Sequence, residues 1–335
     1  MNLLVTGGMG FIGANFIHYW LKNHSDDQVV NVDCLTYAAV KENISDVKNS
    51  KNYAFENADI ADFSAIDMIV KKHNIEVIVN FAAESHNSNS IISPTSFYHT
   101  NIMGTQNLLE IARLNKSIKR FHHVSTCEVY GDMALDDEGA FTENSPLSGN
   151  SPYSSSKACS NLVVNAYFKT FDIPATISIC SNNYGPYQFP EKLIPVFITN
   201  IIQGKPLTLY KESDFKREWL NVHDHCRAIE LILDKGVIGQ TYNIGSGVEK
   251  SIEDISNAIL DYFKGSEKDK IYVTSRPSHD RRYLLNSSKI RNTLGWNPQT
   301  DFEEGIIETI KWYVGNEQWW RPLLERRMAE ENKWR

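Results

Sequence analysis

The chain has few of the features that mark membrane, nucleic-acid-binding or disulfide-rich proteins. No apolar run approaches the ~20 residues that a membrane-spanning helix needs, and the N-terminus enters an apolar stretch at Leu3 without a charged leader. Lysine and arginine are not clustered, and the net charge is -7. Because nucleic acids and anionic membranes are bound by clustered basic side chains, we expect a cytoplasmic protein with no nucleic-acid and no membrane partner.

Cysteine is also scarce. The five cysteines are odd in number and lack Cys-x-x-Cys spacing, which favours reduced thiols over a disulfide framework or a zinc site. The histidines are dispersed without the spacing of metal ligands, so no metal is predicted.

Short apolar runs alternate with helical stretches through the first half of the chain. The predicted strands are Leu3-Val5, Val29-Val32, Val77-Phe81 and Phe121-Val124. The predicted helices include Phe11 to Leu21, Thr105 to Arg113, Ile252 to Phe263 and Phe302 to Val314. The alternation indicates an α/β fold, a Rossmann-type doubly wound parallel sheet with a smaller C-terminal substrate-binding lobe. We predict that residues 1–180 form the sheet domain, which carries the catalytic residues, and that 181–335 form the main substrate lobe, with chain exchange between them.

The glycine-rich segment from Thr6 to Gly13 joins the first predicted strand to the first helix. Glycines at this place permit a tight turn and a close approach of a pyrophosphate to the helix N-terminus. Asp33 lies 20 residues after Gly13, where a carboxylate can bind the ribose diol and would repel a 2′-phosphate. NAD is therefore favoured over NADP, with predicted ligands Gly7, Gly10, Phe11, Ile12, Gly13 and Asp33.

Two further segments are predicted beside the cofactor. Asp59 and Ile60 follow the third apolar stretch and can reach the adenine, although Asp59 is nearly as well explained as a helix cap. Phe81, Ala82 and Ala83 supply small groups at the end of a strand.

The catalytic pattern combines Ser125 to Gly131 with Tyr153 and Lys157. Tyr153 and Lys157 stand four apart, so on a helix both leave from one face, where an ammonium can lower the pKa of a phenol. Thr126 to Glu128 follow an apolar run and should lie at the C-terminal end of a strand, where open α/β sheets bind ligands. The pattern predicts a base for a sugar hydroxyl.

The chain resembles the extended short-chain dehydrogenase/reductase superfamily and, within it, the dTDP-glucose 4,6-dehydratase family. The matching segments are Thr6 to Gly13, Asn31 to Asp33 with Leu35 to Ala38, Ala82 to His86, Thr100-Asn101, Pro152 to Ser154 with Lys157-Ala158, Ser181 to Pro195, and Arg276-Pro277 with His279 to Tyr283. The resemblance implies a tightly held NAD that takes hydride from sugar C4 and returns it to C6. It also implies a homodimer formed through a helix pair.

Site roles follow from the same resemblance. Tyr153 would be the base at the C4 hydroxyl, Lys157 its helper and a ribose ligand, Thr126 a hydrogen-bonding partner, and Glu128 the base at C5. The residues implied to bind the sugar and its diphosphate are Ser85, His86, Asn183, Lys192, Leu193, Arg217 and Arg282.

The sequence departs from the family beside Glu128. Cys127 stands where the family has an Asp that protonates the departing C6 hydroxyl, and Asn87-Ser88-Asn89 replaces Val-Asp-Arg. A thiol with a pKa near ~8.5 is a poorer acid for water loss than a tuned carboxylic acid. Cys127-Glu128 is similar to relatives that make or use 5,6-unsaturated UDP-N-acetylglucosamine in tunicamycin-type or pseudaminic-acid-type pathways.

We therefore expect an NAD-dependent enzyme of dehydratase type acting on a UDP-N-acetylglucosamine derivative. In one version the substrate already lacks its C6 hydroxyl, and Cys127 with Glu128 manages protons at C5. In the other, Cys127 is the acid. The alternatives are a standard dTDP-glucose or UDP-sugar 4,6-dehydratase, a 4-epimerase, and a non-catalytic NAD-binding protein.

Overall fold

The computed structural model describes residues 1–275, 277 and 279–326. Its strands are β1 (Asn2–Thr6), β2 (Gln28–Asp33), β3 (Tyr53–Asn57), β4 (Val77–Asn80), β5 (Arg120–Thr126), β6 (Ala175–Cys180), β7 (Asn182–Tyr184), β8 (Leu207–Tyr210), β9 (Lys216–Asn221), β10 (Thr241–Ile244), β11 (Glu249–Ser251) and β12 (Lys270–Val273). Seven of them form one parallel sheet in the order β10-β6-β5-β4-β1-β2-β3. This sheet confirms the predicted α/β fold.

The helices are α1 (Phe11–Asn23), α2 (Phe63–Lys72), α3 (Asn87–Ile92), α4 (Pro94–Tyr98), α5 (Thr105–Leu114), α6 (Pro152–Phe171), α7 (Leu193–Ile202), α8 (Val222–Lys235), α9 (Ile252–Phe263), α10 (Ser288–Leu294), α11 (Phe302–Gly315) and α12 (Glu317–Trp320). Short 3-10 turns cover Lys41–Ile44, Cys127–Tyr130, Glu267–Asp269 and Pro322–Arg326, and His99–Gly104 is a wide π-helical stretch. Within the described ranges, no helix combines the length and the apolar character needed to cross a membrane.

Both faces of the main sheet are covered, as expected for parallel strands. Side chains alternate between the faces along β1, so Leu4 packs in one core cluster with Leu108 of α5, whereas Leu3 packs in another with Phe16 of α1. The four residues of β4 and the six of β6 are all buried. This double burial explains why β4 was recognisable as an apolar run in the sequence, whereas β6, which includes Thr176 and Ser178, was not among the predicted strands.

The second half of the chain builds smaller sheets and also returns to the main one. Strands β11, β9 and β7 form a three-stranded sheet, and β12 pairs with β8. Strand β10 lies at the edge of the main sheet, parallel to β6. The division at residue 180 stays a prediction, and residues 327–335 and Arg276 of the predicted segments lie outside the described residues.

His122 of β5 is fully enclosed in the sheet. Its Nδ1 is 3.0 Å from the Thr176 hydroxyl and its Nε2 is 3.0 Å from the Ser178 hydroxyl, both on β6. Burial lowers the pKa of His122 to about 3, because the imidazolium would lose its hydration. The folded protein therefore keeps this ring neutral at pH values where the unfolded chain protonates it.

We predict that this ring makes the fold acid-sensitive. The pKa of His122 is lower in the folded protein than in the unfolded chain. The contribution of the neutral ring to the free energy of unfolding is therefore complete above about pH 6.5 and falls as pH decreases toward 3. Between pH 7.5 and 5, the wild type should lose about 2 kcal/mol more unfolding free energy than His122→Gln, at ~1.4 kcal/mol per proton and pH unit. Urea unfolding at both pH values measures this difference. The exposed His99→Gln is the control, and equal losses in wild type and His122→Gln would contradict the prediction.

Candidate active site

A cavity of about 310 Å³ lies at the carboxyl edge of the main sheet. It is lined by residues at or just after the ends of five strands: Gly7 after β1, Asp33 of β2, Phe81 after β4, Thr126 of β5 and Cys180 of β6. Parallel pairing brings these strand ends together, which is the position where open α/β sheets bind ligands.

The glycines of the first turn create room along one wall of the cavity. Gly7 has φ +70°, and a Cβ there would lie 2.8 Å from the Cα of Ala82. A Cβ on Gly13 would lie 2.4 Å from the carbonyl oxygen of Gly7. Side chains at either position would therefore separate the first turn from its neighbours and fill space that a pyrophosphate needs.

All the residues predicted to hold the cofactor line this cavity. They are Gly7, Gly10, Phe11, Ile12, Gly13, Asp33, Asp59, Ile60, Ala82, Tyr153 and Lys157. Two buried hydroxyl oxygens on the same lining, Ser125 Oγ and Ser181 Oγ, have no hydrogen-bond partner among the described residues. The glycine turn and these polar atoms fit a dinucleotide, so the geometry agrees with the prediction of a dinucleotide cofactor.

The Asp33 carboxylate is held by hydrogen bonds from two backbone amides. Its Oδ2 accepts from the amide of Met9 at 3.0 Å, and its Oδ1 accepts from the amide of Leu35 at 2.8 Å. Burial raises the pKa of Asp33, while these two amide bonds oppose the rise. Asp59 also lines the cavity and accepts from the amide of Ala61 at 2.8 Å, whereas the N-cap of α2 is Asp62.

Helix α6 carries the two residues of the predicted catalytic pair. Ser151 caps its N-terminus in a capping box with Ser154, and Pro152 occupies the first turn, where its missing N–H is not needed. Tyr153 and Lys157 follow on one face, and both side chains are buried and line the cavity. The predicted helix and the shared face are present.

Lys157 points to β5. Its Nζ donates to the carbonyl oxygen of Val124 at 2.8 Å and lies 3.2 Å from Nε2 of His123. Burial lowers the pKa of Lys157 to about 7 and that of His123 well below its usual value. Asn80 continues this buried polar chain, with its Nδ2 3.2 Å from His123 Nδ1.

The expected lowering of the Tyr153 pKa by Lys157 is not found in the protein chain alone. Burial and then the Glu128 carboxylate hold the pKa of the phenol well above its usual value, and a hydrogen bond with Thr126 acts in the opposite direction. The physical reason is that desolvation penalises the phenolate, while the Lys157 ammonium is directed to Val124.

Thr126 ends β5 and starts the turn that carries Cys127 and Glu128. Its Oγ1 accepts from the amide of Glu128 at 3.4 Å. Thr126 and Glu128 line the cavity. Cys127, the first residue of this 3-10 turn, differs: it is 1% exposed, packs in the core cluster with Tyr283, and is not among the described residues that line the cavity. Burial raises the pKa of the Cys127 thiol well above its usual value.

The predicted substrate residues divide into two groups. Ser85, Asn183 and Lys192 line the cavity, and the Lys192 ammonium donates to the Ser85 carbonyl oxygen at 2.9 Å. His86 is the N-cap of α3 and Leu193 is the first residue of α7, and neither belongs to the described cavity lining.

The structure does not place the two predicted phosphate arginines at the cavity. The Arg217 guanidinium donates to the carbonyl oxygens of Asp280 at 2.6 Å and Lys216 at 2.7 Å. Arg282 forms two bonds to the Glu249 carboxylate, at 2.6 and 2.7 Å. Each planar guanidinium is thus satisfied by groups of its own surroundings, and the cations among the described cavity residues are Lys157 and Lys192.

Several cavity residues carry no sequence-based prediction of a role. They are Glu84, Thr100 and Cys180. Cys180 stands at the end of β6, so strand position could have indicated it. Thr100 lies in the π-helical stretch, a local widening that apolar periodicity does not reveal. Across 1–275, 277 and 279–326, no cluster of His, Cys, Asp and Glu is arranged to hold a metal ion.

Comparison with known proteins gives consistent matches over nearly the whole chain. Residues 4–309 match the family model described as GDP-mannose 4,6 dehydratase. A dTDP-glucose 4,6-dehydratase of Escherichia coli is 44% identical over 357 aligned positions, covering 99% of this chain and 98% of that protein.

Solved structures show the same relationship. The dTDP-glucose 4,6-dehydratase of Bacillus anthracis in complex with NAD is 44% identical, covers 96% of this chain and 99% of its own, and has a TM-score of 0.90. The UDP-glucose 4-epimerase of Thermotoga maritima with UDP-glucose is 26% identical, with coverage of 94% and 99% and a TM-score of 0.86.

We predict that Asp33 selects the unphosphorylated dinucleotide. Wild-type protein freed of nucleotide should bind NAD at least about tenfold more tightly than NADP, because a carboxylate beside the ribose repels a 2′-phosphate. Asp33→Ser should reduce this preference to within about threefold, and calorimetric titration with each dinucleotide measures it. Asp59→Ser is the matched control and should weaken the binding of NAD and NADP by the same factor. A wild type that prefers NADP would show that Asp33 has no such role.

Proposed function

The chain belongs to the GDP-mannose 4,6-dehydratase family and is an NAD-dependent enzyme of the nucleotide-sugar 4,6-dehydratase type. From this premise we propose that its substrate is UDP-6-deoxy-N-acetylglucosamine-5,6-ene, which it converts to a 4-keto-6-deoxy sugar. The homodimer and the substrate lobe stay predictions.

One observation supports this substrate above all. Cys127 replaces the acid that the family resemblance assigns to water loss. Its side chain packs in the core and is not part of the described cavity lining, and burial raises the pKa of the thiol. A thiol that holds its proton so firmly is a poor general acid for expelling hydroxide. A substrate that has already lost its C6 hydroxyl does not need such an acid.

The cavity residues supply the proton transfers. When bound, NAD would accept hydride from C4 and return it at C6, and its positively charged ring would favour the Tyr153 phenolate. Tyr153 takes the proton of the C4 hydroxyl, with Thr126 hydrogen-bonded to its phenol and Lys157 on the same helix face. Glu128, on the cavity wall, gives a proton to C5.

These transfers balance as an isomerisation. The C4 alcohol becomes a ketone, the 5,6 double bond becomes a C5–H and a methyl group, and no water is released. The proton gained by Tyr153 and the proton lost by Glu128 are exchanged with solvent.

The second candidate is a standard dTDP-glucose 4,6-dehydratase. The 44% identity to the Escherichia coli dehydratase over almost both full lengths favours it. In that case the Cys127 thiol would have to protonate the leaving hydroxyl. The 4-epimerase alternative has less support, because Glu128 lines the cavity although epimerisation at C4 needs no base at C5, and the epimerase of Thermotoga maritima is only 26% identical.

We predict that two variants separate the C4 step from the C5 step. Tyr153→Phe should abolish reduction of bound NAD by substrate, because no base remains at the C4 hydroxyl, with a loss of at least ~10²-fold. Glu128→Gln should still show NADH absorbance in a single turnover but should stop proton transfer at C5. Normal turnover by Glu128→Gln would exclude Glu128 as the C5 group.

We predict further that Cys127 determines which substrate is accepted. Wild-type protein should convert the 5,6-ene at least ~10²-fold faster than it dehydrates UDP-N-acetylglucosamine or dTDP-glucose, since loss of a general acid costs ~10²–10⁴-fold. Mass spectrometry of the products distinguishes these reactions. In deuterated water, one deuteron should enter at C5, and deuterium from C4 of labelled substrate should appear at C6.

A variant tests the same idea. Cys127→Ser should keep conversion of the 5,6-ene, because that reaction needs no acid at position 127. Rapid dehydration of dTDP-glucose or UDP-N-acetylglucosamine by the wild type would overturn the proposal and assign the acid role to the thiol.

A further inference from the structure

The side chain of Asn87 connects Glu128 to the start of helix α6. Its Nδ2 donates to Glu128 Oε2 at 2.6 Å, and its Oδ1 accepts from the Ser151 hydroxyl at 2.8 Å. Ser151 is buried and is the N-cap of the helix that carries Tyr153. The Asn87 amide therefore lies between the Glu128 carboxyl group and helix α6, which positions Tyr153.

An amide suits this place because a carboxyl group that exchanges a proton changes its hydrogen-bonding needs. The carboxylate only accepts, whereas the carboxylic acid also donates. A half-turn of the Asn87 amide exchanges its donor and acceptor ends, and the Ser151 hydroxyl can serve either end because it both donates and accepts. An apolar side chain could do neither, and an ionised carboxylate could only accept.

Buried ionisable groups near Glu128 increase the need for this donor. Burial raises the pKa of Cys127, Tyr153, Cys180 and Tyr283, and the Glu128 carboxylate adds to the rise in each. All four groups are buried. In such surroundings a charged carboxylate depends strongly on the hydrogen bonds that it receives.

We propose that Asn87 is a positioning residue for proton transfer at C5, holding the Glu128 carboxyl group against the cavity in both of its protonation states. This inference rests on the proposed role of Glu128. Asn87 replaces an apolar residue of the resembled family, and this replacement would directly affect the proton transfer at C5.

The test measures the two steps separately in Asn87→Asp and Asn87→Val. The probe is the 5,6-ene sugar in deuterated water, or dTDP-glucose if the wild type acts on that instead. Both variants should incorporate deuterium at C5 about 10–100-fold more slowly, because a misplaced reacting group costs up to ~10²-fold. Single-turnover NADH formation should stay within about threefold of wild type.

A pH profile distinguishes positioning from a merely structural role. In Asn87→Asp the introduced carboxylate repels Glu128. Proton transfer at C5 should therefore recover as pH falls and the introduced carboxylate becomes protonated. Asn87→Val has no added titrating group and should show no such recovery. Bound NAD and the thermal unfolding midpoint of each variant verify that the fold is retained, and if the Asp variant does not fold, the rate of Asn87→Val decides.

Asn115→Val is the matched control. Asn115 also donates to a carboxylate, that of Asp67 at 3.0 Å, but at the end of α5 away from the cavity, so both steps should be unchanged. Wild-type C5 rates in the Asn87 variants would overturn the proposal for Asn87. Normal C5 labelling by Glu128→Gln would overturn the role of Glu128 instead, so the two failures are distinguishable.

Discussion

The site depends on the parallel pairing of β1 with β2 on one side and β4 on the other. Thr6, the last residue of β1, lies opposite Val32 of β2 and Asn80 of β4, so the three strands end at the same edge of the sheet. The glycine turn then packs so closely on Phe81 and Ala82 that a Cβ at Gly7 would lie 2.8 Å from backbone atoms. This close approach requires a residue without a side chain and leaves the cavity open for the dinucleotide.

Burial governs the chemistry on the other half of the cavity. Lys157, His123 and Asn80 form a polar chain inside the sheet, and burial lowers the pKa of Lys157 to about 7. Burial likewise raises the pKa of Tyr153. In such a low-dielectric environment each charge is costly without a partner, so a bound positive ring would change the proton affinity of the phenol far more than it would in water.

The two departures from the resembled family meet at Glu128. Cys127 turns its thiol into the core, while Asn87 donates to the Glu128 carboxylate at 2.6 Å. The first change weakens an acid for water loss, and the second provides a partner for a group that exchanges protons. Together they support the proposed conversion of a 5,6-unsaturated sugar, which requires a proton at C5 and no acid for the loss of hydroxide.

The sequence by itself determined four strands of the main sheet and the cofactor half of the site, because apolar strand periodicity and the glycine turn are local signals. Gly7, Gly10, Gly13, Asp33 and Ala82 all line the cavity. Tertiary structure alone decided the directions of side chains whose partners are distant in sequence. Arg217 and Arg282 were predicted at the phosphates, yet carbonyl oxygens and Glu249 bind their guanidinium groups. The contact between Asn87 and Glu128 spans 41 positions, and Cys127 faces the core in the 3-10 turn that follows β5. Such contacts depend on which surfaces the fold brings together, and no local pattern contains that information.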